Sequence, residues 1–302
     1  MRDFLSVTDV KKEQVVKLWN LATNLKKRPI GGALRDRNIL LLFEKPSTRT
    51  RVSFEVGVNQ LSGHPIYMDS SSSQLSRGES IEDTAHTLDR YIDIVVARVY
   101  KHEDLIKLAL AMEKPVVNAL SDIEHPCQGL SDLFTINEKL GRIDGVNIAY
   151  VGDPNNVFNS LVLGAAIMGA RVILASPKGY MPRKAIVDRA EEIQRGSLKM
   201  AESPAAAVKG ADVVYSDVFV SMGDEKQREE RLRAFLPTYQ VNTKLLDKAP
   251  KKALFMHCLP AHYGEETTKE AVYGPRSIVF DQAENKLHVQ KAILTDMIDD
   301  LK

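Results

Sequence analysis

One pattern constrains this chain more than any other: a short apolar run, a polar turn, then apolar residues at helical spacing, repeated through both halves. Ile39 to Phe43 reads as a buried strand, and Phe54, Val58 and Leu61 follow at i, i+4 and i+7, as on one helix face. Further runs at Ile94–Ala97 and Val116–Leu120 alternate with helical segments, the last of them from about Leu130 to Leu140 and closed by Gly141 as a C-cap. The second half restarts the alternation. Strands are expected at Asn147–Val151, Arg171–Ala175, Asp212–Tyr215, Ala253–Met256 and finally Ser277–Phe280, with helices at Val157–Met168 and Pro182–Arg195 among them. Strand and helix in turn, twice over, predicts an α/β protein built from two doubly wound parallel sheets. Its 302 residues suffice for two domains, placed at 1–141 and 142–284, with a helix over 285–302.

Composition narrows the function classes. A formal net charge of +1 supplies no basic field for nucleic acid, so any anion site must be local. Met1 to Gln14 is unlike a signal peptide, and the longest apolar stretch, Leu161–Ala170, is interrupted by Gly164 and Gly169. Two cysteines cannot make a disulfide framework; a cytoplasmic protein without membrane or nucleic-acid partners is expected. Seven histidines and two cysteines show no zinc-ligand spacing, so no metal is expected. Gly152-Asp153-Pro154-Asn155-Asn156 lacks the later glycines of a dinucleotide fingerprint, and Ser47–Thr50 lacks the glycine-rich loop and lysine of a P-loop. No cofactor is therefore expected.

In open parallel sheets ligands bind beyond the carboxyl ends of the strands. The unusual polar residues fall there: Ser47 to Arg51, Arg98, His125 to Gln128, Asn155 and Asn156, Asp217 to Met222, and His257 with Cys258. Ser47, Thr48 and Thr50 bring hydroxyls, Arg49 and Arg51 fixed charge, and the helix that follows brings unpaired N–H groups: the parts of a phosphate site. A Ser/Thr helix cap with two solvated arginines is the plainer reading of that stretch. Arg98 also reads as a surface arginine, His125 as a loop histidine and Asp217 as a cap. His257 and Cys258, being adjacent on a strand, point to opposite faces and make a poor nucleophilic dyad. First-half clusters are cationic or hydroxyl-bearing, second-half clusters amide, carboxylate and thiol. Two half-sites facing an interdomain cleft are expected, one for an anion and one for an amine.

Four motifs carry a resemblance. Ser47-Thr48-Arg49-Thr50-Arg51 before Ser53-Phe54-Glu55 resembles the carbamoyl-phosphate signature of the aspartate and ornithine carbamoyltransferase family. His125-Pro126-Cys127-Gln128, Asp217-Val218-Phe219-Val220-Ser221-Met222-Gly223 and His257-Cys258-Leu259-Pro260 resemble its ornithine branch. The resemblance covers essentially the whole chain. It implies transfer of the carbamoyl group of carbamoyl phosphate to the side-chain amine of ornithine, giving citrulline and phosphate, without a cofactor. It also implies that Ser47, Thr48, Arg49 and Thr50 cradle the phosphate, with Arg98, His125 and Gln128 at the carbamoyl end. Gln74, in the exposed, mobile loop expected over Met68–Glu79, resembles a residue that reaches a neighbouring subunit's site; a homotrimer, or a higher assembly of trimers, is implied. Asn156, with Asn155 beside it, resembles the residue holding the amino acid's α-groups. Asp217, Ser221 and Met222 complete the ornithine contacts, and Cys258 and Leu259 lie where the ligands meet. Arg98, His125, Asp217 and Cys258 are the implied catalytic group. The 285–302 helix is expected to return to the first domain.

One position departs from the family. Lys286 stands where an arginine contacting carbamoyl phosphate is usual, keeping the charge but losing the planar fork. The same chemistry on putrescine, N-acetylornithine or aspartate is the nearest rival reading, and a non-catalytic, anion-binding trimer is the rival from another class.

Overall fold

The computed structural model describes residues 2–221 and 223–299. The chain divides into two compact units, Met1–Phe134 with Asn285–Lys302, and Thr135–Glu284.

In the first unit, helix α1 (Lys12–Lys27) precedes strand β1 (Asn38–Phe43), α2 (Thr48–Gln60) and β2 (His64–Asp69). Then come α3 (Ile81–Leu88), β3 (Ile94–Arg98), α4 (His102–Ala111), β4 (Val116–Leu120) and α5 (Pro126–Leu140), within which the division falls. The four strands are parallel in the order β2-β1-β3-β4. β3 and β4 are buried at every position, as strands covered on both faces must be. The chain leaves β1 for β2 on one side and returns to β3 on the other. The switch point therefore lies between β1 and β3, where Phe43 pairs with Arg98.

The second unit holds β5 (Asn147–Val151), α6 (Asn156–Met168), β6 (Arg171–Ala175), α7 (Lys184–Ile193), β7 (Leu198–Met200) and α8 (Pro204–Val208). It continues with β8 (Val213–Ser216), α9 (Arg228–Phe235), α10 (Thr243–Leu246), β9 (Leu254–His257) and α11 (Lys269–Val272). Its parallel order is β7-β6-β5-β8-β9, so the switch point lies between β5 and β8. The last helix, α12 (Val279–Asp299), begins in this unit and enters the first at Asn285.

From there α12 packs on its own unit. Lys26 Nζ donates to Asn285 Oδ1 at 2.8 Å, and Lys17 pairs with Asp296 at 2.6 Å. Lys291 is fully buried, yet its ammonium donates to the carbonyls of Leu25 and Pro29 and to Gln60 Oε1, at 3.2, 3.1 and 2.8 Å. Gly57 makes the close approach possible: a Cβ there would stand 3.1 Å from Lys291 Cγ and 3.3 Å from Leu287 Cδ1.

Several expectations need correction. Ser277–Phe280 is not a strand; Ser277 forms one isolated bridge with Phe255, and α12 starts at Val279. Two strands escaped the sequence reading, β2 and β7, both at sheet edges. β2 carries Pro65, which an edge tolerates because one side of it needs no donor, and β7 has only three residues. The loop expected from Met68 instead begins with the end of β2, followed by 3-10 turns at Ser70–Ser72 and Gln74–Arg77.

Candidate functional site

In the first unit the site grows from the head of α2. Ser47 is the N-cap, extended at φ −161°, and its side chain accepts from the Thr50 N–H at 3.3 Å. That cap leaves Thr48 exposed and Arg49 half-buried on the first turn, while Thr50 is buried. Arg51 is drawn into local structure: Nε donates to Glu55 at 2.9 Å, and its guanidinium lies 3.6 Å from the Tyr67 ring centroid.

Three further groups gather there. Arg98, at the end of β3, and His125, just before α5, are each 4% exposed, and Lys286 on α12 is 7% exposed. Lys286 Nζ donates to Thr50 Oγ1 at 3.0 Å, so that lysine is seated in the cluster and not solvated. Because the Thr50 oxygen accepts from lysine, its own hydrogen is directed elsewhere. Burial, then the charges of Lys286 and Arg98, hold His125 well below the ordinary imidazole value. It is a neutral ring among cations. Burial pushes the neighbouring Cys127 thiol up to about 12, which makes it unreactive. Gln128 donates from Nε2 to Asp132 at 2.7 Å within α5. Gln74 is exposed, at the head of its 3-10 turn.

In the second unit a hydrogen-bonded chain sits at the switch point. Asn155 caps α6, its Oδ1 accepting from the N–H groups of Val157 and Phe158 at 2.9 and 3.2 Å. Its amide then donates to Asp217 Oδ2 at 2.7 Å. The other Asp217 oxygen accepts from the Val218 N–H at 2.8 Å and from the Cys258 thiol at 3.0 Å. Asn156 is half-buried as the first residue of α6, and Ser221 is half-exposed; Met222 lies outside the described residues.

His257 is fully buried and structural. Its Nδ1 accepts from the Leu259 N–H at 2.9 Å, which leaves the proton on Nε2, facing Glu266 Oε1 at 3.1 Å. Leu259 adopts φ +60°, unusual for a branched side chain. One side-chain donor atom from each of Asp217, His257 and Cys258 lies within 4.8 Å of the others, and the same holds for His262, Glu265 and Glu266. The first set is already committed to the hydrogen bonds just described, and Glu265 in the second is paired with Arg228. Sequence reasoning missed Glu266, Asp153 and Arg231. Only Asp153 had a signal, its place beside Asn155; the other two act from elements with no motif.

Among the described residues no helix is long and apolar enough to cross a membrane. Residues 2–138 match the carbamoyl-P binding domain of aspartate/ornithine carbamoyltransferase, and residues 144–297 match its Asp/Orn binding domain. The chain belongs to the aspartate/ornithine carbamoyltransferase family. Within it, the chain is 49% identical to an ornithine carbamoyltransferase of Hyperthermus butylicus, over 97% of this chain and 96% of that one. It is 46% identical to a catabolic ornithine carbamoyltransferase of Halobacterium salinarum, over 99% of each. The solved ornithine carbamoyltransferase of Pyrococcus furiosus superposes with a TM-score of 0.94 at 44% identity, covering 100% of this chain and 98% of that one.

Proposed function

We infer that this protein is an enzyme that transfers the carbamoyl group of carbamoyl phosphate to the side-chain amine of L-ornithine, releasing L-citrulline and phosphate. The observation that carries the reading is a pair of chemically opposite clusters, each at the switch point of its own sheet. One joins Thr50, Arg98, His125 and Lys286; the other joins Asn155, Asp217 and Cys258.

The phosphate takes the N-terminus of α2, where Ser47, Thr48, Arg49 and Thr50 supply N–H, hydroxyl and guanidinium donors. Lys286 adds the charge that an arginine brings elsewhere in the family. As the amine attacks, charge builds on the carbamoyl oxygen, and Thr50, Arg98 and His125 donate to it, with Gln128 at the same end. A neutral His125 donates one N–H without adding to the crowd of cations. Asn156 serves the α-carboxylate and α-amino groups, while Asn155 caps the helix and holds Asp217, and Ser221 and Met222 complete the ornithine contact. Asp217 and Cys258 steer the side-chain amine, with Leu259 beside them. A C–N bond forms, the C–O bond to phosphate breaks, and the departing phosphate accepts the amine proton. Catalysis then rests on orientation and on donors fixed in advance, with no protein nucleophile.

The assembly that goes with this reading is a homotrimer in which Gln74 serves a neighbouring subunit; its exposed position supports that role. Mixing two variants, one altered at Gln74 and one at Arg98, would restore activity in hybrid trimers and leave monomers inactive. Two free cysteines accord with a reducing cytoplasm.

Purified protein given carbamoyl phosphate should form citrulline from ornithine and nothing from putrescine, N-acetylornithine or aspartate. Product from another amine instead would overturn the roles of Asn156 and Ser221. Binding without turnover of any amine would overturn the enzyme reading.

A further inference from the structure

Arg231 occupies a position that the mechanism does not use. It lies on α9, is only 7% exposed, and spends its guanidinium on two separate segments. Nε donates to the Phe219 carbonyl at 2.7 Å, and the terminal nitrogen Nη2 pairs with the Asp153 carboxylate. Its other terminal nitrogen is 3.7 Å from Asp224, and the Tyr180 ring centroid is 5.1 Å away. Phe219 stands between Asp217 and Ser221, and Asp153 immediately precedes Pro154 and the Asn155 cap. The guanidinium therefore bridges the segment after β8 and the turn after β5.

The two segments are pressed together. A Cβ on Gly152, at φ +137°, would approach the Phe219 ring to 3.3 Å. Phe219 is itself fully buried, stacked on Phe235 with centroids 4.6 Å apart, so it cannot yield. Asn155 accepts no looseness either, since its amide already reaches Asp217. Burial pushes the Asp153 carboxyl up to about 6, and Arg231 is the group that opposes that shift.

We propose that Arg231 is a positioning residue that sets the segment carrying Asp217 and Ser221 against the Asn155–Asn156 turn, and thereby governs ornithine recognition without touching the ligand. This rests on the assignment of those residues to ornithine. A planar fork is required for the task, because a lysine has one donor centre and cannot serve the Phe219 carbonyl and Asp153 in the same geometry.

The test is steady-state kinetics of Arg231→Lys, with each substrate varied while the other is saturating, alongside melting temperature. The ornithine KM should rise about tenfold or more while the carbamoyl-phosphate KM stays within about twofold. Asp153→Asn, whose amide oxygen can still accept from Arg231, should keep the ornithine KM within about threefold of the parent. An unchanged ornithine KM in Arg231→Lys, or an equal loss for both substrates with a lowered melting temperature, would overturn the proposal. If Arg231→Lys does not fold, Asp153→Ala decides: a folded Asp153→Ala must show the same selective rise, and an unfolded one makes the ion pair a matter of folding alone and the proposal wrong. Parent enzyme that forms no citrulline would refute the ornithine reading, whereas active parent with an indifferent Arg231→Lys refutes only this inference.

Discussion

Lys286 Nζ donates to Thr50 Oγ1 at 3.0 Å, joining residues 236 positions apart in one buried contact. That lysine is thus held against the first turn of α2, where the proposed phosphate site lies. Lys286→Gln should raise the carbamoyl-phosphate KM about 30-fold, since a hydrogen bond to a charged group is worth about 2 kcal/mol. Lys286→Arg should keep turnover. Steady-state kinetics would check both, and an unchanged KM in the glutamine variant would remove Lys286 from the site.

Asp217 accepts from Asn155, Val218 and Cys258 at once, so its carboxyl group is fixed in place. Asp217→Asn should lower kcat about 100-fold, the scale of loss when a reacting group is misplaced by about an ångström. Cys258→Ser retains a donor to Asp217 and should stay within about tenfold of the parent. Full turnover of Asp217→Asn across the pH range would exclude Asp217 from handling the amine.

His125 is buried beside two cations, and its folded-state pKa is depressed. Between that depressed value and about 6.5 the unfolded chain binds a proton that the folded one refuses. Stability is therefore complete above about pH 6.5 and falls as pH drops through that window, by up to about 1.4 kcal/mol per pH unit. His125→Asn should lose that component, which urea denaturation of both proteins at matched pH values would show as a shallower acid slope.

Gly57 sits against Lys291, whose ammonium is pinned by three acceptors and whose stem cannot swing aside. Gly57→Val should cost about 1–3 kcal/mol through overpacking, read as a lowered melting temperature. An unchanged melting temperature would show that α12 can shift away from α2.

The alternation of β1 with α2 and of β5 with α6 was legible because strand and helix periods differ and both strands are buried from their second residue on. β2 and β7 were not: β2 has no fully buried residue and β7 is three residues long and mostly exposed, so neither carries a continuous apolar run. Ser277–Phe280 misled for the opposite reason, being an apolar run too short to reveal whether strand or helix claims it. Candidate site residues were legible where polar clusters follow strands, since strand exits are where open sheets place ligands. Thus Ser47–Thr50, Arg98, His125, Asn155 and Asp217 could be singled out from order along the chain alone. What the chain alone determined, then, is which residues stand at the ends of its strands. Only tertiary structure decided their company: that Lys286 meets Thr50, that Asn155 is spent on a helix cap and on Asp217, and that Arg231 binds two segments together. These partners come from helices whose own spacing reports a buried face and nothing of what lies against it.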